Sequence, residues 1–530
     1  DLEGKLVLID AMFRDGLRWM FEEKKAAGVI TDRVQHDEGV RSRQELYDCR
    51  MYHSFPFSDV NEREVGGFAF VLTPRQGDKL RKLCADMAAE HEKDPSKPAR
   101  PVAKGFIETE FYSGALENVL CTIPGESDEC ILLTAHLCHP QACANDNASG
   151  CGAAMELMRA LGDLIAAGRL PRPRRTIRLL LVPEMAGTNA YLHTLGEGRK
   201  KLIAGVNLDM VGARQDGTAG PVIAFRTPEA SASLVSDLAS LAVEAAADDY
   251  PAVFSDTDRV GTHLYAVRRF SGGSDHQILS DPLIGVPCVS FTQWPDLFYH
   301  TSGDTVERID PTLVATTARI AGCIIWTLAN MTEADLDPLL SHACENYIAA
   351  LRRESDIWKQ KNEPARALGR RLALTEEAAA RALDGLRRLF PGELSAPVQA
   401  LLSDERAKLS VLREQALRRA LALAGMHRDE PSITPVSNHP KLTRTFVGDA
   451  DSKRIDQLFG ESGSSALIEQ HKKSEALESY INYWTCGLFD FEEIAERAIW
   501  ECGSGDRDFV GQYLRLLNRA GLVKPVGETK

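Results

Sequence analysis

The stretch from Ile131 to Gly152, ILLTAHLCHPQACANDNASGCG, decides the fold. Its first five residues are apolar or small, which predicts a short buried strand that presents His136 at its carboxyl end. Open α/β sheets bind their ligands at the carboxyl ends of strands. A turn-rich segment follows, and a helix is expected to begin at Ser149–Gly150, so Asp146 should lie at the junction beside the sheet. We therefore expect His136 and Asp146 to face one metal ion.

The same arrangement recurs further along the chain. Predicted strands are followed by polar residues at three more places, namely Thr176–Val182 before Glu184, Lys201–Leu208 before Asp209, and Val286–Phe291 before His300. Alternating strands and helices with polar residues at the strand ends predict an α/β fold, in which a mostly parallel central sheet carries helices on both faces. Imidazole and carboxylate groups are zinc ligands, so their collection at one sheet edge predicts a metal site.

Composition limits the classes of protein to consider. A chain of 530 residues is too long for one core, and two to four domains are expected. The 62 basic and 76 acidic residues give a net charge of −14, which argues against broad binding to nucleic acid or anionic membranes. No apolar run approaches membrane-spanning length, so we expect no membrane helix. The twelve scattered cysteines favour free thiols in a reducing compartment, and we expect a cytoplasmic protein.

Breaks in composition divide the chain into regions. Proline-rich linkers are predicted at residues 94–101 and 431–440, and a strand is predicted at Phe106–Phe111. A helix should begin at Pro74 with Thr73 as its N-cap. The expected regions are a small α/β lobe (1–92), an α/β domain that carries the metal site (98–332), a charged helical region (333–430) and a helical C-terminal domain (441–530).

The polar residues form an ordered series that resembles a known family. The series is His136, NDNASG (145–150), Glu184, NLD (207–209), GSDH (273–276) and YHT (299–301). It resembles the M28 zinc aminopeptidases over roughly residues 98–330, and the form HLCHP is closest to an aminopeptidase-like branch with a C-terminal winged helix. The resemblance implies a zinc-exopeptidase-like fold. The first lobe is similar to a protease-associated domain, and LRLLNRAGLVKPV (514–526) is similar to part of a winged helix.

The resemblance implies a role for each site residue. One metal site would take His136, a bridging Asp146 and Asp209, and the other would share Asp146 and add His300. The general base of the family falls on Glu184. The implied cofactor is one or two Zn²⁺ ions. We expect a peptide or small amide as the substrate, no nucleic acid partner, and self-association through the C-terminal helical regions.

Two positions depart from the family pattern. Met185 replaces the usual second glutamate, and a thioether is a poor zinc ligand. Cys138 replaces the aspartate that usually orients the first histidine. The alternatives are a single tightly held zinc, a second site completed by water or Glu184, or recruitment of Cys138 or His139. His139 could instead cap the turn before Pro140.

Several nearby residues have open roles. Asp304 is expected to cap the following helix. Asp275 and His276 would either support the ligands or face the substrate. Tyr299 would pack beside the metal site or hold the oxyanion of a tetrahedral intermediate.

Three functional hypotheses follow. The first is a zinc-dependent hydrolase in which Glu184 takes the proton of the attacking water. The second keeps the site but acts as an amidohydrolase or acyl-transfer enzyme on a non-peptide metabolite. The third is a binding or regulatory protein with a lapsed site, marked by Met185.

Overall fold

The protein is described here from a computed structural model. The structure describes residues 2–11, 19–36, 39–53, 67–108, 110, 112–247, 250–251, 259–260, 263–390, 392–425, 439–450, 455, 458–460, 463–471 and 476–527. The predicted linker at 431–440 falls almost entirely outside these residues.

The N-terminal residues form a small α/β lobe. Its parallel sheet has the order β1 (Leu6–Ile9), β2 (Gly28–Thr31), β3 (Ala69–Val71), and helix α1 (Pro74–Lys93) follows. The hydroxyl of Thr73 accepts a hydrogen bond from the Gln76 N–H, and the Gln76 side chain accepts one from the Thr73 N–H. This reciprocal capping satisfies two helix-end donors and confirms the predicted helix start.

A seven-stranded sheet forms the centre of the next region. Its elements, with a two-stranded ribbon beside them, are β4 (Val119–Ile123), β5 (Ser127–His136), α2 (Gly150–Ala166), β6 (Arg175–Val182), α3 (Ala186–Leu195), β7 (Leu202–Leu208), β8 (Val222–Phe225), α4 (Val235–Ala247), β9 (Tyr250–Pro251), β10 (Arg259–Val260), β11 (Tyr265–Arg268), α5 (His276–Leu279), β12 (Cys288–Gln293) and α6 (Pro311–Asn330).

The sheet order is β11-β8-β12-β7-β5-β6-β4. Four of the neighbouring pairs are parallel, and β8–β12 and β4–β6 are antiparallel. The prediction of a mostly parallel α/β sheet is confirmed. Because β5, β6, β7 and β12 run in the same direction, the segments that follow their carboxyl ends meet at one edge of the sheet.

Both faces of the sheet are covered by helices. Along β5, Ile131 and Leu133 face a core shared with α2, α4 and α6, whereas Leu132 faces a second core shared with α3 and α5. These three side chains are fully buried, as expected for a central strand with two covered faces. The rigid middle of the sheet therefore fixes where His136 emerges.

Helix α6 is long and apolar enough to cross a membrane by length and composition alone. However, 61% of its most apolar window is buried inside the protein. Ile320, Ile324 and Leu328 lie in the main core beside the sheet. The helix thus has the burial of a core helix.

The predicted strand at Phe106–Phe111 is wrong for the residues that the structure describes there. Residues 106–108 and 110 form no strand, and Phe106 is 82% exposed. A strand needs a hydrogen-bonded neighbour, and the sheet ends at β4, which starts only at Val119. The apolar pattern alone predicted a strand here, but the described part of the chain offers no neighbouring strand to pair with it.

The C-terminal part is helical where it is described. Its elements are α7 (Leu336–Lys361), α8 (Ala365–Asp384), α9 (Leu386–Leu389), α10 (Ala396–Leu423), β13 (Leu442–Arg444), α11 (Ser464–His471), α12 (Ala476–Trp484), α13 (Phe491–Cys502), α14 (Arg507–Arg519) and β14 (Val523–Pro525). The strands β13 and β14 pair antiparallel. A separate core around Trp484, Phe509 and Leu517 holds the last helices together. The winged-helix assignment of this region stays a prediction.

Candidate metal centre

Three predicted ligands meet at the carboxyl edge of the sheet. His136 is the last residue of β5, Asp209 follows β7, and Asp146 lies in the irregular turn 144–149 before α2. The Nε2 atom of His136 lies 3.1 Å from Asp146 Oδ1 and 3.3 Å from Asp209 Oδ1. All three side chains are buried. Parallel strand ends therefore bring one imidazole and two carboxylates within reach of a single ion, as the sequence predicts.

A second group shares Asp146. The other carboxylate oxygen, Oδ2, lies 3.2 Å from Nε2 of His300 and 3.3 Å from Nε2 of His139. The ligand atoms of this group also lie within 4.8 Å of one another. Asp146 thus divides its two oxygens between the groups, which is the arrangement that a bridging carboxylate requires. The His139 imidazole joins this group, while Met185 lies in the wall of the same cavity.

Two of the three imidazoles are each oriented by a contact at the nitrogen that faces away from Asp146. The Nδ1 of His136 lies 3.0 Å from the Cys138 carbonyl oxygen, and the Nδ1 of His139 lies 2.9 Å from the Gln141 carbonyl oxygen. A ring that donates from Nδ1 keeps Nε2 free for a metal. The local turns of HLCHPQ therefore aim both rings at Asp146.

The charges at the site favour a bound cation. Burial opposes ionisation of His136, but the close carboxylates of Asp146 and Asp209 dominate and raise its pKa. Burial likewise opposes the His139 cation, yet Asp146 and Cys143 raise its pKa to about 10. Burial would raise the pKa of Asp146, but the histidines around it lower that pKa far below its ordinary value. A divalent ion would supply the positive charge that the histidines otherwise bring to Asp146.

The buried polar atoms fit zinc. Neither Asp209 Oδ1 nor His139 Nε2 makes a hydrogen bond with good geometry within the described part of the chain, although both atoms are buried. Buried polar atoms without partners are rare because each costs free energy. An ion bound between these atoms would satisfy them. Imidazole and carboxylate are the ligands that zinc takes in proteins.

Glu184 follows β6 and lines the cavity that holds both ligand groups. Burial raises its pKa to about 7, and Asp209 adds to this while His136 opposes it. Its backbone N–H donates to Cys138 Sγ at 3.1 Å, so the Cys138 side chain supports the Glu184 turn. A carboxyl group whose pKa is near neutral is suited to accept and return a proton.

The turn after Glu184 has an unusual backbone. Met185 has a φ of 55°, which non-glycine residues rarely adopt. Asp275 accepts hydrogen bonds at one carboxylate oxygen from the Met185 N–H (2.8 Å) and the Thr188 hydroxyl (2.6 Å). Asp275 therefore holds the turn that presents Glu184. His276 lines the cavity, with its Nε2 2.7 Å from the Ser271 carbonyl oxygen.

Asp304 supports the ligand turn, so its predicted role as a helix cap is wrong. Its carboxylate accepts from the Asn145 N–H (2.7 Å) and the Asp146 N–H (2.9 Å). Asp310 caps α6 instead, accepting from the Thr312 and Leu313 N–H groups. The local sequence gave no signal for this, because Asp304 and Asp146 are 158 residues apart.

The ligand groups line a cavity of about 710 Å³. Its described wall contains no lysine or arginine, and the non-ligand side chains are largely aromatic, apolar or small. Tyr299 stacks on His300 with ring centroids 3.6 Å apart, so its ring packs against a ligand.

The structure brings together all five residues that the sequence proposed, His136, Asp146, Glu184, Asp209 and His300. Sequence reasoning left His139 open among several alternatives and overlooked Tyr52, which lies against His300. The HLCHP spacing was a signal for His139. Tyr52 carries no local signal, since it is 248 residues from His300.

Comparisons with known proteins agree with these motifs. Residues 118–324 match the model of peptidase family M28. A Clostridium acetobutylicum protein, whose name assigns it to polysaccharide biosynthesis with an aminopeptidase-like domain, is 27% identical over 235 residues, which are 44% of this chain and 48% of the relative. The aligned part thus spans about half the length of that curated relative.

Solved structures give weaker likenesses. A crystal structure of a peptidase from Clostridium acetobutylicum is 15% identical, covers 96% of this chain and 74% of its own, and has a TM-score of 0.39. An aminopeptidase from Aneurinibacillus sp. strain AM-1 is 21% identical, with coverage of 64% and 72% and a TM-score of 0.37.

Proposed function

We propose that the chain is a zinc-dependent hydrolase that removes N-terminal residues from peptides or cleaves a related amide bond, because residues 118–324 match the model of peptidase family M28. The carrying observation is the position of Asp146 between three imidazoles, with one carboxylate oxygen turned to each ligand group. A shared carboxylate of this kind suits two metal ions about 3.5–4 Å apart.

The ligands divide into two sets. His136, Asp146 and Asp209 would hold one zinc ion, and His139, Asp146 and His300 would hold the other. When bound, zinc would act as a Lewis acid that polarises the scissile carbonyl and lowers the pKa of water.

Glu184 is the proposed general base. It is half-buried in the cavity wall, and a pKa of about 7 lets it exist in either protonation state near neutral pH. It would take a proton from the attacking water and return it to the leaving nitrogen. Asp275 would keep Glu184 in place through the Met185 turn.

The test is hydrolysis of amino-acid anilides before and after complete removal of metal by a chelator. We expect activity to be lost with the metal and regained on addition of zinc, together with two bound zinc ions per chain by elemental analysis. Undiminished activity of the metal-free protein would reject the proposal.

A substitution tests the assignment of His139. His139→Ala should lower the zinc content from two ions to one, because the second group keeps only His300 and the shared Asp146. His193→Ala, which removes an exposed histidine of α3, is the matched control and should keep both ions. Two tightly bound ions in His139→Ala would exclude His139 as a ligand.

A second substrate class fits the same centre. The name of the Clostridium relative points to polysaccharide biosynthesis, and an amide bond on a sugar precursor could be cleaved by the same residues. Turnover of N-acyl sugars without turnover of any unblocked peptide would favour this class. We also propose a cytoplasmic location, because all twelve cysteines are free thiols.

A further inference from the structure

The N-terminal lobe reaches the metal centre through residues 49–52. These residues run beside the loop 299–303, which carries the ligand His300. The contacts that join them are an antiparallel bridge between Met51 and Thr301, the Tyr52 N–H to the His300 carbonyl (3.3 Å), the Ser302 N–H to the Arg50 carbonyl (2.8 Å) and the Arg50 N–H to the Ser302 hydroxyl (3.0 Å). The backbone on both sides of His300 is therefore held by the lobe.

A buried arginine strengthens this attachment. Arg41 is only 2% exposed, and its Nη1 donates to the Tyr299 carbonyl at 2.9 Å. The His300 backbone itself has a φ of 59°, an uncommon conformation for a residue with a side chain. Such a conformation persists only where surrounding contacts fix it. The lobe provides several of those contacts.

Tyr52 also contacts the His300 ring directly. Its hydroxyl lies 2.9 Å from Nδ1 and 3.0 Å from Nε2, and the two ring centroids are 4.6 Å apart. The Tyr52 ring meets His139 edge-on, with centroids 5.0 Å apart. One lobe side chain thus touches both imidazoles of the second ligand group.

The other two histidines of the metal centre are oriented by a different kind of contact. His136 and His139 are each oriented by a backbone carbonyl two residues further along the chain. The contact of this kind that the structure gives His300 is the Tyr52 hydroxyl. The hydroxyl lies near both nitrogens, but Nε2 of His300 also faces Asp146 at 3.2 Å, so an ion at Nε2 would leave Nδ1 as the partner of the tyrosine. Outer contacts of this kind fix the tautomer and direction of a ligating imidazole.

We propose that Tyr52 is a positioning residue of the second zinc site, so that the N-terminal lobe completes the metal centre. The proposal rests on the proposed function, since it concerns the same site. Tyr52 holds the His300 ring with Nε2 directed at Asp146 and packs against the His139 ring. It acts on the ion through His300.

The test is zinc binding to the full chain with Tyr52→Phe. The substitution keeps the ring and removes only the hydroxyl. Loss of an outer contact to a metal ligand typically weakens metal binding by about 10- to 100-fold. We expect this loss for the second zinc ion alone, measured by competition with a chromophoric chelator, while the first ion binds as in the wild type.

Tyr47→Phe is the matched control. Tyr47 lies on the same lobe, and its hydroxyl donates to Asp78 at 3.0 Å, so the same atom is removed without contact to a ligand histidine. Both zinc ions should bind Tyr47→Phe with wild-type affinity. Equal weakening in both variants would show a loosened lobe and overturn the role given to Tyr52.

The outcomes separate this proposal from the proposed function. A wild-type protein that binds no zinc would reject the hydrolase centre itself, and that result needs no variant. Wild-type protein with two zinc ions and Tyr52→Phe with the same two affinities would overturn only the Tyr52 proposal. A lowered kcat with unchanged zinc affinity would also overturn it, since Tyr52 would then act on the substrate instead of on His300.

Discussion

A buried ion pair joins the C-terminal strand β13 to the loop after α5, and breaking it should be costly. Arg444 donates from Nη2 to Asp281 Oδ1 at 2.6 Å and from Nη1 to Oδ2 at 2.7 Å, and both side chains are fully buried. Asp281 also accepts from the Leu283 N–H (2.8 Å) and the Gly448 N–H (2.6 Å). We expect Asp281→Asn to destabilise the protein strongly.

The expected loss in free energy of unfolding follows from the buried positive charge of Arg444 that Asp281→Asn leaves without a partner. Two unit charges about 4 Å apart interact by roughly 4 kcal/mol at an effective dielectric constant of about 20. Removing one partner of a buried pair typically costs about 3–5 kcal/mol, because the other charge stays without compensation. A guanidinium cannot lose its proton, whereas a carboxyl group can gain one. Arg444→Met should therefore cost less than Asp281→Asn.

The assay is urea unfolding followed by tryptophan fluorescence. Trp484 and Trp500, two of the six tryptophans, are buried in the C-terminal core, so the signal includes this region. The double variant Asp281→Leu with Arg444→Met removes both charges and should lose far less free energy of unfolding than Asp281→Asn alone. A cost below about 1 kcal/mol for Asp281→Asn, or a double variant as unstable as the single one, would refute the reasoning.

Two further predictions concern pH. Because the pKa of Glu184 is about 7 and a general base must be ionised, kcat/KM should rise between pH 6 and 8. Glu184→Gln should lower kcat by about 10²- to 10⁴-fold. A flat pH profile of the wild type would contradict this role. Burial and the neighbouring Glu229 raise the pKa of Glu501 well above its ordinary 4.5, so its folded state holds a proton that the unfolded chain releases. The free energy of unfolding should consequently fall from pH 5 to 8, by at most about 1.4 kcal/mol per pH unit. Glu501→Gln should reduce this pH dependence, measured by thermal unfolding. An unchanged pH dependence would contradict the assignment.

The sequence predicted the first ligand group because strand ends obey a geometric rule. His136 ends β5 and Asp209 follows the neighbouring strand β7, and parallel neighbours present their carboxyl ends side by side. Asp146 was predictable from its place before α2. These placements needed only the period of the apolar residues and the positions where it stops, whereas the assignment of the three residues to one metal site came from the resemblance to the M28 family.

Contacts between distant segments could not be predicted in this way. Tyr52 reaches His300, and Asp304 reaches Asp146, through chain separations of 248 and 158 residues. No local pattern encodes which loop will pack on which. The exposed stretch around Phe106 failed for a related reason, since strand formation depends on a neighbouring strand that the apolar pattern does not reveal.

The change at Met185 alters the charge of the centre as well as its ligands. In the pattern implied by the resemblance, a glutamate at this position would give the metal centre three carboxylate ligands. With His139 in the second group, as proposed, the ligand carboxylates would be Asp146 and Asp209, and only Asp146 belongs to both groups. Two imidazoles and one shared carboxylate supply less negative charge to a divalent ion than one imidazole with two carboxylates does. Increasing concentrations of a chelator should therefore remove the ion of the second site first. Occupancy of both sites then depends on how firmly His300 is oriented.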